Sequence, residues 1–240
     1  LFVADATWPE VEVALAKGAV AVLPIGAAAK EHGYHLPLNT DFLQATWIAG
    51  EVECEIGAVV WPVLSYGYYP VFVDYPGSIS LSRENFIAVV IDVMQGIARA
   101  GARNLVILNT GISTIEPLQE AKRQATAGLA VALVNVYSGE KFAAAVAAVE
   151  QQPFGGHADE IETSIMLALA VERVQMSRAE RQPARIERGL FNRRDPDAAN
   201  FSPSGANGDP TLATAEKGRR LLQAMREDVL ATIALLRAAC

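Results

Sequence analysis

The stretch AVAVLPIGAAAKEHGYHLPLNTD, residues 19–41, carries the pattern from which the fold is read. It opens on Ala19 to Ile25, a run rich in β-branched and apolar residues that suits a buried strand. A polar segment, Glu31 to Asp41, follows directly, and beyond it the apolar residues of 41–56 fall at helical spacing. Working outward, the same alternation recurs. Helices are expected over 8–17, opened by Thr7 with Pro9 just inside, and over 83–100, closed by Gly101. Further helices are expected over 115–127, 160–170 and 213–239, and strands over 58–64, 104–109 and 130–137. Strand and helix in turn predict an α/β fold: a largely parallel sheet with helices on both faces, in one domain spanning residues 1–240. Chemistry then belongs to the loops at the C-terminal edge of the strands, among them 31–41 and 109–114. Residues 181–209, rich in Pro, Asn, Asp and Arg, show no period and read as a long irregular excursion over a site or a neighbouring subunit.

Composition narrows the partners. The 240 residues are 51% hydrophobic and 20% charged, enough for a sizeable core, and the net charge is −7. The basic residues are spread rather than striped, which argues against nucleic acid. The apolar runs are strand-length, short of the roughly 18 residues a membrane span needs. Two cysteines, Cys54 and Cys240, make no disulfide framework and read as reduced thiols in a cytoplasmic protein.

All three histidines fall in two acidic clusters. His32 and His35 stand with Glu31 and Asp41, and His157 stands with Asp159, Glu160 and Glu162. Imidazole and carboxylate together are a usual ligand set for zinc and similar divalent ions. Gly33 and Pro37 permit bends that aim several side chains at one centre, and Asp159 and Glu162 share a helix face. The expectation is a metal site assembled from two distant segments.

These residues also carry a resemblance. Leu23-Pro24-Ile25-Gly26 followed by Glu31-His32-Gly33-Tyr34-His35-Leu36-Pro37-Leu38-Asn39-Thr40-Asp41 resembles the N-terminal signature of the creatininase (creatinine amidohydrolase) family. Gly156-His157-Ala158-Asp159-Glu160-Ile161-Glu162-Thr163-Ser164 resembles its second signature. Thr7-Trp8, the loop Tyr75-Pro76-Gly77-Ser78-Ile79-Ser80-Leu81 and the segment 208–218 are similar to further family motifs. The resemblance implies a three-layer α/β sandwich, commonly a homohexamer, and a hydrolase of cyclic or linear amides using one or two divalent ions (zinc, manganese or iron). By position it implies His32, Asp41 and Glu162 as ligands of one ion, Asp41 as a bridge to a second, and His157 as the proton-handling histidine.

The chain departs from the family pattern at three places. The family's first glutamate stands two residues before the ligand histidine, where this chain has Lys30, with Glu31 adjacent to His32. The family's Asn-Gly-His is replaced by Thr110-Gly111-Ile112, and an acidic position is lost near Thr114. Asp159 stands where many members have glycine. Two outcomes stay open: Asp159 rebuilds a second ion site with Glu31 and Asp41, or a single ion remains. His35, Tyr75, Ser78, Ser113 and Thr114 are expected to contact substrate, and Tyr66, Tyr68 and Tyr69 are candidate pocket residues. The expected activity is a metal-bound water attacking an amide-like carbonyl of a small, cyclic, polar substrate, creatinine itself excluded. Rival expectations are ring opening at a bond other than C–N, and a non-catalytic ligand-binding member.

Overall fold

The structure, a computed structural model, describes residues 1–125, 127–186 and 191–238. Strand β1 (Ala21–Ile25) is buried at every position, as expected of an apolar run with no polar face. It pairs in parallel with β2 (Val59–Val60) on one side and β3 (Asn104–Asn109) on the other, and β3 pairs in parallel with β4 (Ala130–Asn135). The order is β2-β1-β3-β4. Side chains alternate across the sheet. Val22, Val106, Leu108 and Val134 face one core, and Ala21, Leu23, Ile25, Leu105 and Ile107 face the other.

Among the described residues seven α-helices cover the two faces: α1 (Trp8–Ala16), α2 (Thr40–Ile56), α3 (Arg83–Arg99), α4 (Ile115–Arg123), α5 (Glu140–Val149), α6 (Glu160–Leu169) and α7 (Ala215–Ala238). The face of Val22 packs on α2, α5, α6 and α7 through Ile48, Val52, Phe142, Ile165, Leu221 and Met225. The opposite face packs on α1, α3 and α4 through Leu15, Phe86, Val90, Met94 and Leu118. This is the expected helix–sheet–helix sandwich.

Three elements differ from the sequence reading. The strand expected over 58–64 is regular only at Val59–Val60, because Pro62 has no N–H to give the ladder; Leu64 rejoins β1 through a single bridge to Ile25. The helix expected over 115–127 ends at Arg123, and position 126 lies outside the described residues, as does 239 in the last helix. Helix α5 was not expected. Its N-cap is Gly139, which has no side chain to cap with, and Asp228 of α7 accepts from Phe142 N at 2.8 Å and Lys141 N at 3.2 Å instead.

Candidate metal centre

The strand order reverses at β1: the chain passes to β2 on one side and returns as β3 on the other. The crevice outside the C-terminal ends of such strands is where α/β sheets bind ligands. Gly26 ends β1 there. A Cβ at this position would lie 2.4 Å from Asp41 O and 2.8 Å from Ala45 Cβ, so glycine alone lets the first turn of α2 close on the strand. That contact carries Asp41 into the crevice, where it is 1% exposed. Thr110 Oγ1 donates to Ile25 O at 3.1 Å and Asp41 O at 3.3 Å, tying the end of β3 to the same corner.

His32 enters from the loop after β1. Its Nδ1 lies 2.9 Å from Lys30 O, which only accepts, so Nδ1 carries the proton and Nε2 is bare in the neutral ring. Nε2 faces Asp41 Oδ1 at 3.1 Å and Glu162 Oε1 at 3.6 Å. Three lone-pair atoms converging in a buried site repel one another unless a cation or a proton lies between them. His32, His157 and Glu162 each offer a ligand atom within 4.8 Å of the others. The set of His32 Nε2, Asp41 Oδ1 and Glu162 Oε1 fits a divalent ion of the zinc or manganese type.

His157 arrives from the turn before α6, and Ala158 there holds a positive φ of 47°. The turn is fastened by backbone bonds in both directions between His157 and Asn207, at 3.4 and 2.8 Å. His157 Nε2 lies 2.9 Å from Glu31 O and 3.1 Å from Glu31 Oε2, so Nε2 carries the donor proton and Nδ1 is bare in the neutral ring. Nδ1 sits 3.7 Å from Glu162 Oε2. Burial opposes a charge on this ring, but the Glu31 carboxylate outweighs it and holds the imidazole above the usual histidine range. The partner agrees in sign: burial would raise Glu31, yet His157 holds its carboxyl below the usual range.

Lys30 stands beside the centre, at the position of the family's first glutamate, and is buried there. Its ammonium lies 2.6 Å from Asp41 Oδ2 with only 7% of the side chain exposed. Burial opposes its charge, but Asp41, Glu162 and Glu31 together hold it above the usual lysine range. Asp41 is in turn pushed down, Lys30 and His32 outweighing its burial.

Other expected site residues fall elsewhere. Glu31 turns away from the Asp41 side: Oε1 accepts from Gly33 N, and Oε2 holds His157. Glycine 205 packs so close that a Cβ there would sit 2.0 Å from the Glu31 carboxyl carbon. Asp159 is the N-cap of α6. Its Oδ1 accepts from Ile161 N and Glu162 N, both at 3.0 Å, and its Oδ2 accepts from Gly156 N at 2.8 Å and Gln152 Nε2 at 3.0 Å. It has no spare lone pair aimed at the ligand cluster, so the acid at this position shapes the helix start. His35 Nε2 meets Thr163 Oγ1 at 2.7 Å. Tyr75 Oη donates to Ser202 O at 2.6 Å, and Ser78 Oγ accepts from Glu31 N at 2.9 Å. Thr114 Oγ1 donates within its own turn, 2.7 Å from Asn109 Oδ1. These four side chains brace the loops rather than line the cleft.

A cleft of about 740 Å³ opens over the centre, with Lys30, His157, Asp159 and Glu162 in its wall. Ser113 lines it, and of the tyrosines near the Tyr75 loop only Tyr69 does. Phe72, Phe142, Val146, Ile161, Ile186 and Phe191 make much of the rest apolar. Phe72 stacks on His157 with ring centroids 4.2 Å apart, and Phe191 stands edge-on to Phe72. Ile186 and Phe191 belong to the irregular excursion, whose positions 187–190 lie outside the described residues. Nothing in local sequence distinguishes these aromatic and aliphatic residues from ordinary core.

Comparison with known proteins agrees with this architecture. The family model described as "Creatininase: Creatinine amidohydrolase" matches residues 4–233. The chain is 32% identical to a creatinine amidohydrolase of Pseudomonas putida, over 93% of this chain and 92% of that one. It is 29% identical to a mycofactocin precursor peptide peptidase of Mycobacterium ulcerans, over 95% of this chain and 86% of that one. The solved structure "Creatininase Mn" superposes with a TM-score of 0.82 at 29% identity, covering 97% of this chain and 96% of its own.

Proposed function

The chain belongs to the creatininase family, and from that premise we propose that it is a divalent-metal-dependent hydrolase of an amide-like bond in a small molecule. The observation that carries the reading is the bare Nε2 of His32 facing two carboxylates beside a second histidine, with Glu162 and that histidine in the wall of a cleft. A divalent ion bound there polarises a carbonyl and lowers the pKa of water to about 7.

In this reading His32 and Glu162 hold the ion, with Asp41 Oδ1 on the same side. Glu31 anchors Nε2–H of His157 and fixes the tautomer, so Nδ1 is the atom that can take a proton from the attacking water and return it to the leaving nitrogen. Glu31 acts through His157 and is a positioning residue. Phe72 and Phe191 shield the imidazole from bulk water, and the apolar wall of the cleft favours a substrate with a hydrocarbon flank beside its amide. Assembly as a homo-oligomer, specifically a hexamer, is part of the same proposal and is read by analytical ultracentrifugation.

The test is metal reconstitution with zinc, manganese or iron, followed by assay against a panel of lactams, formyl amides and short peptides. His32→Ala and Glu162→Gln are expected to lose both the ion and hydrolysis. Hydrolysis retained by both variants after metal stripping overturns the mechanism.

A further inference from the structure

Asp41 is a buried carboxylate with two different faces. Oδ1 looks toward His32 and the ligand cluster, and Oδ2 looks toward the ammonium of Lys30 at 2.6 Å. The Lys30 ammonium is the partner that answers the charge on Oδ2. Such a carboxylate is positioned to serve two cations at once, one on each oxygen.

We propose that the ammonium of Lys30 stands permanently where a second metal ion would sit on Asp41, so that the centre holds one ion and a built-in organic cation. This rests on the metal-centre reading above and specifies its composition. Three observations support it. First, two aromatic rings stand beside Lys30 Nζ. The ring centroids of Phe72 and Tyr69 lie 5.3 and 5.6 Å away, and Thr110 and Ile112 line the same cleft as Lys30. Isoleucine offers no lone pair, and the Thr110 hydroxyl is directed to Ile25 O and Asp41 O. Secondly, the two acids that could have completed a second site are committed. Glu31 is held by Gly33 N and His157, and both oxygens of Asp159 are used at the start of α6. Thirdly, an ammonium already 2.6 Å from Oδ2 excludes a metal ion from that oxygen by repulsion as well as by volume. Aromatic faces beside Nζ favour a cation at that point and hold the alkyl stem in place.

A functional consequence follows. Lys30 lines the cleft, so its ammonium can donate to a substrate oxygen on the side of Asp41 away from the ion. A lysine is covalently part of the chain and cannot dissociate as an ion can, so this half of the centre does not depend on metal supply.

Metal content per chain after loading with manganese or zinc and desalting, measured by plasma mass spectrometry, tests the proposal on the intact protein. One equivalent is expected. Two equivalents overturn the proposal and leave the hydrolase reading standing, whereas no bound ion overturns both. Calorimetric titration adds a readout independent of activity. Lys30→Met removes the neighbouring positive charge but adds no ligand for a second ion, so the protein is expected to bind its one ion at least tenfold more tightly. Lys30→Arg, which keeps the charge, is expected to stay at one equivalent, and Lys30→Glu combined with Ile112→His is expected to reach two. Unchanged affinity and stoichiometry in a folded Lys30→Met protein overturn the proposal.

Discussion

Replacing Asp159 by alanine separates a helix cap from a metal ligand. The carboxylate accepts four hydrogen bonds: from Ile161 N and Glu162 N at the first turn of α6, from Gly156 N, and from Gln152 Nε2. Loss of an N-cap costs about 1–2 kcal/mol. Leaving Gly156 N and one Gln152 proton without an acceptor in a buried corner adds roughly 1–2 kcal/mol. The side chain of Gln152 cannot turn to compensate, because its Oε1 already accepts from Glu160 N at 3.2 Å and Asp209 N at 2.9 Å. The total is about 3 kcal/mol, which is a fall of roughly 1.5 M in the urea midpoint for a slope of about 2 kcal/mol/M. Metal affinity should weaken only within about tenfold, through fraying of the turn that carries Glu162, since His32 and Glu162 themselves remain. Asp159→Asn should be destabilised to a similar degree, because one side of the amide then presents N–H to the N–H groups of Gly156 and Gln152. Urea denaturation of the metal-free protein and calorimetric metal titration read the two effects independently. A midpoint unchanged from the parent, with metal binding lost, would show that Asp159 is a ligand and that the cap assignment is wrong.

Two further perturbations probe the scaffold. A Cβ on Gly218 would lie 1.9 Å from Ser164 O, against a normal separation of about 3.5 Å, so Gly218→Ala must part α7 from α6. The colliding group is backbone and cannot rotate away, so the cost is about 3 kcal/mol, or a Tm lower by roughly 6–12 °C in a chain of this size; an unchanged melting curve would contradict the packing. His35 is buried against Thr163, and burial holds its imidazole near a pKa of about 4, below the usual 6.5. The unfolded chain therefore binds this proton first: the stability that neutral His35 confers is full above pH 6.5, declines as pH falls, and is gone below about 4. The difference is roughly 3 kcal/mol at most, and His35→Gln should flatten the dependence of unfolding free energy on pH in that window. Parallel profiles for the two proteins would refute the assignment.

The sheet and most helices were legible because the signals that specify them are local. Ala21–Ile25 and Asn104–Asn109 are apolar throughout, and Arg83–Arg99 repeats at helical spacing between Ser82 and Gly101. The residue make-up of the candidate centre was legible for a related reason: three histidines confined to acidic clusters are a property of the string of residues, whatever its path. Helix α5 escaped because its cap is Asp228, distant in sequence from the Phe142 N–H it serves. The extent of β2 was not legible, because hydrophobicity does not report the missing N–H of Pro62.

Residue types and their local periods thus specify an α/β chain with an imidazole–carboxylate centre at the strand ends. They do not specify which way each acid points. Glu31 and Asp41 both stand near His32 in the chain, yet Glu31 serves His157 and Asp41 is shared between His32 and Lys30. Asp159 and Glu162 share a helix start, yet one caps it and the other faces the ligand cluster. Those choices depend on partners contributed by other elements. The burial of Lys30 follows from the closure of α2 on β1 at Gly26 together with the covering rings of Tyr69 and Phe72, contacts that exist only once distant parts of the chain have packed.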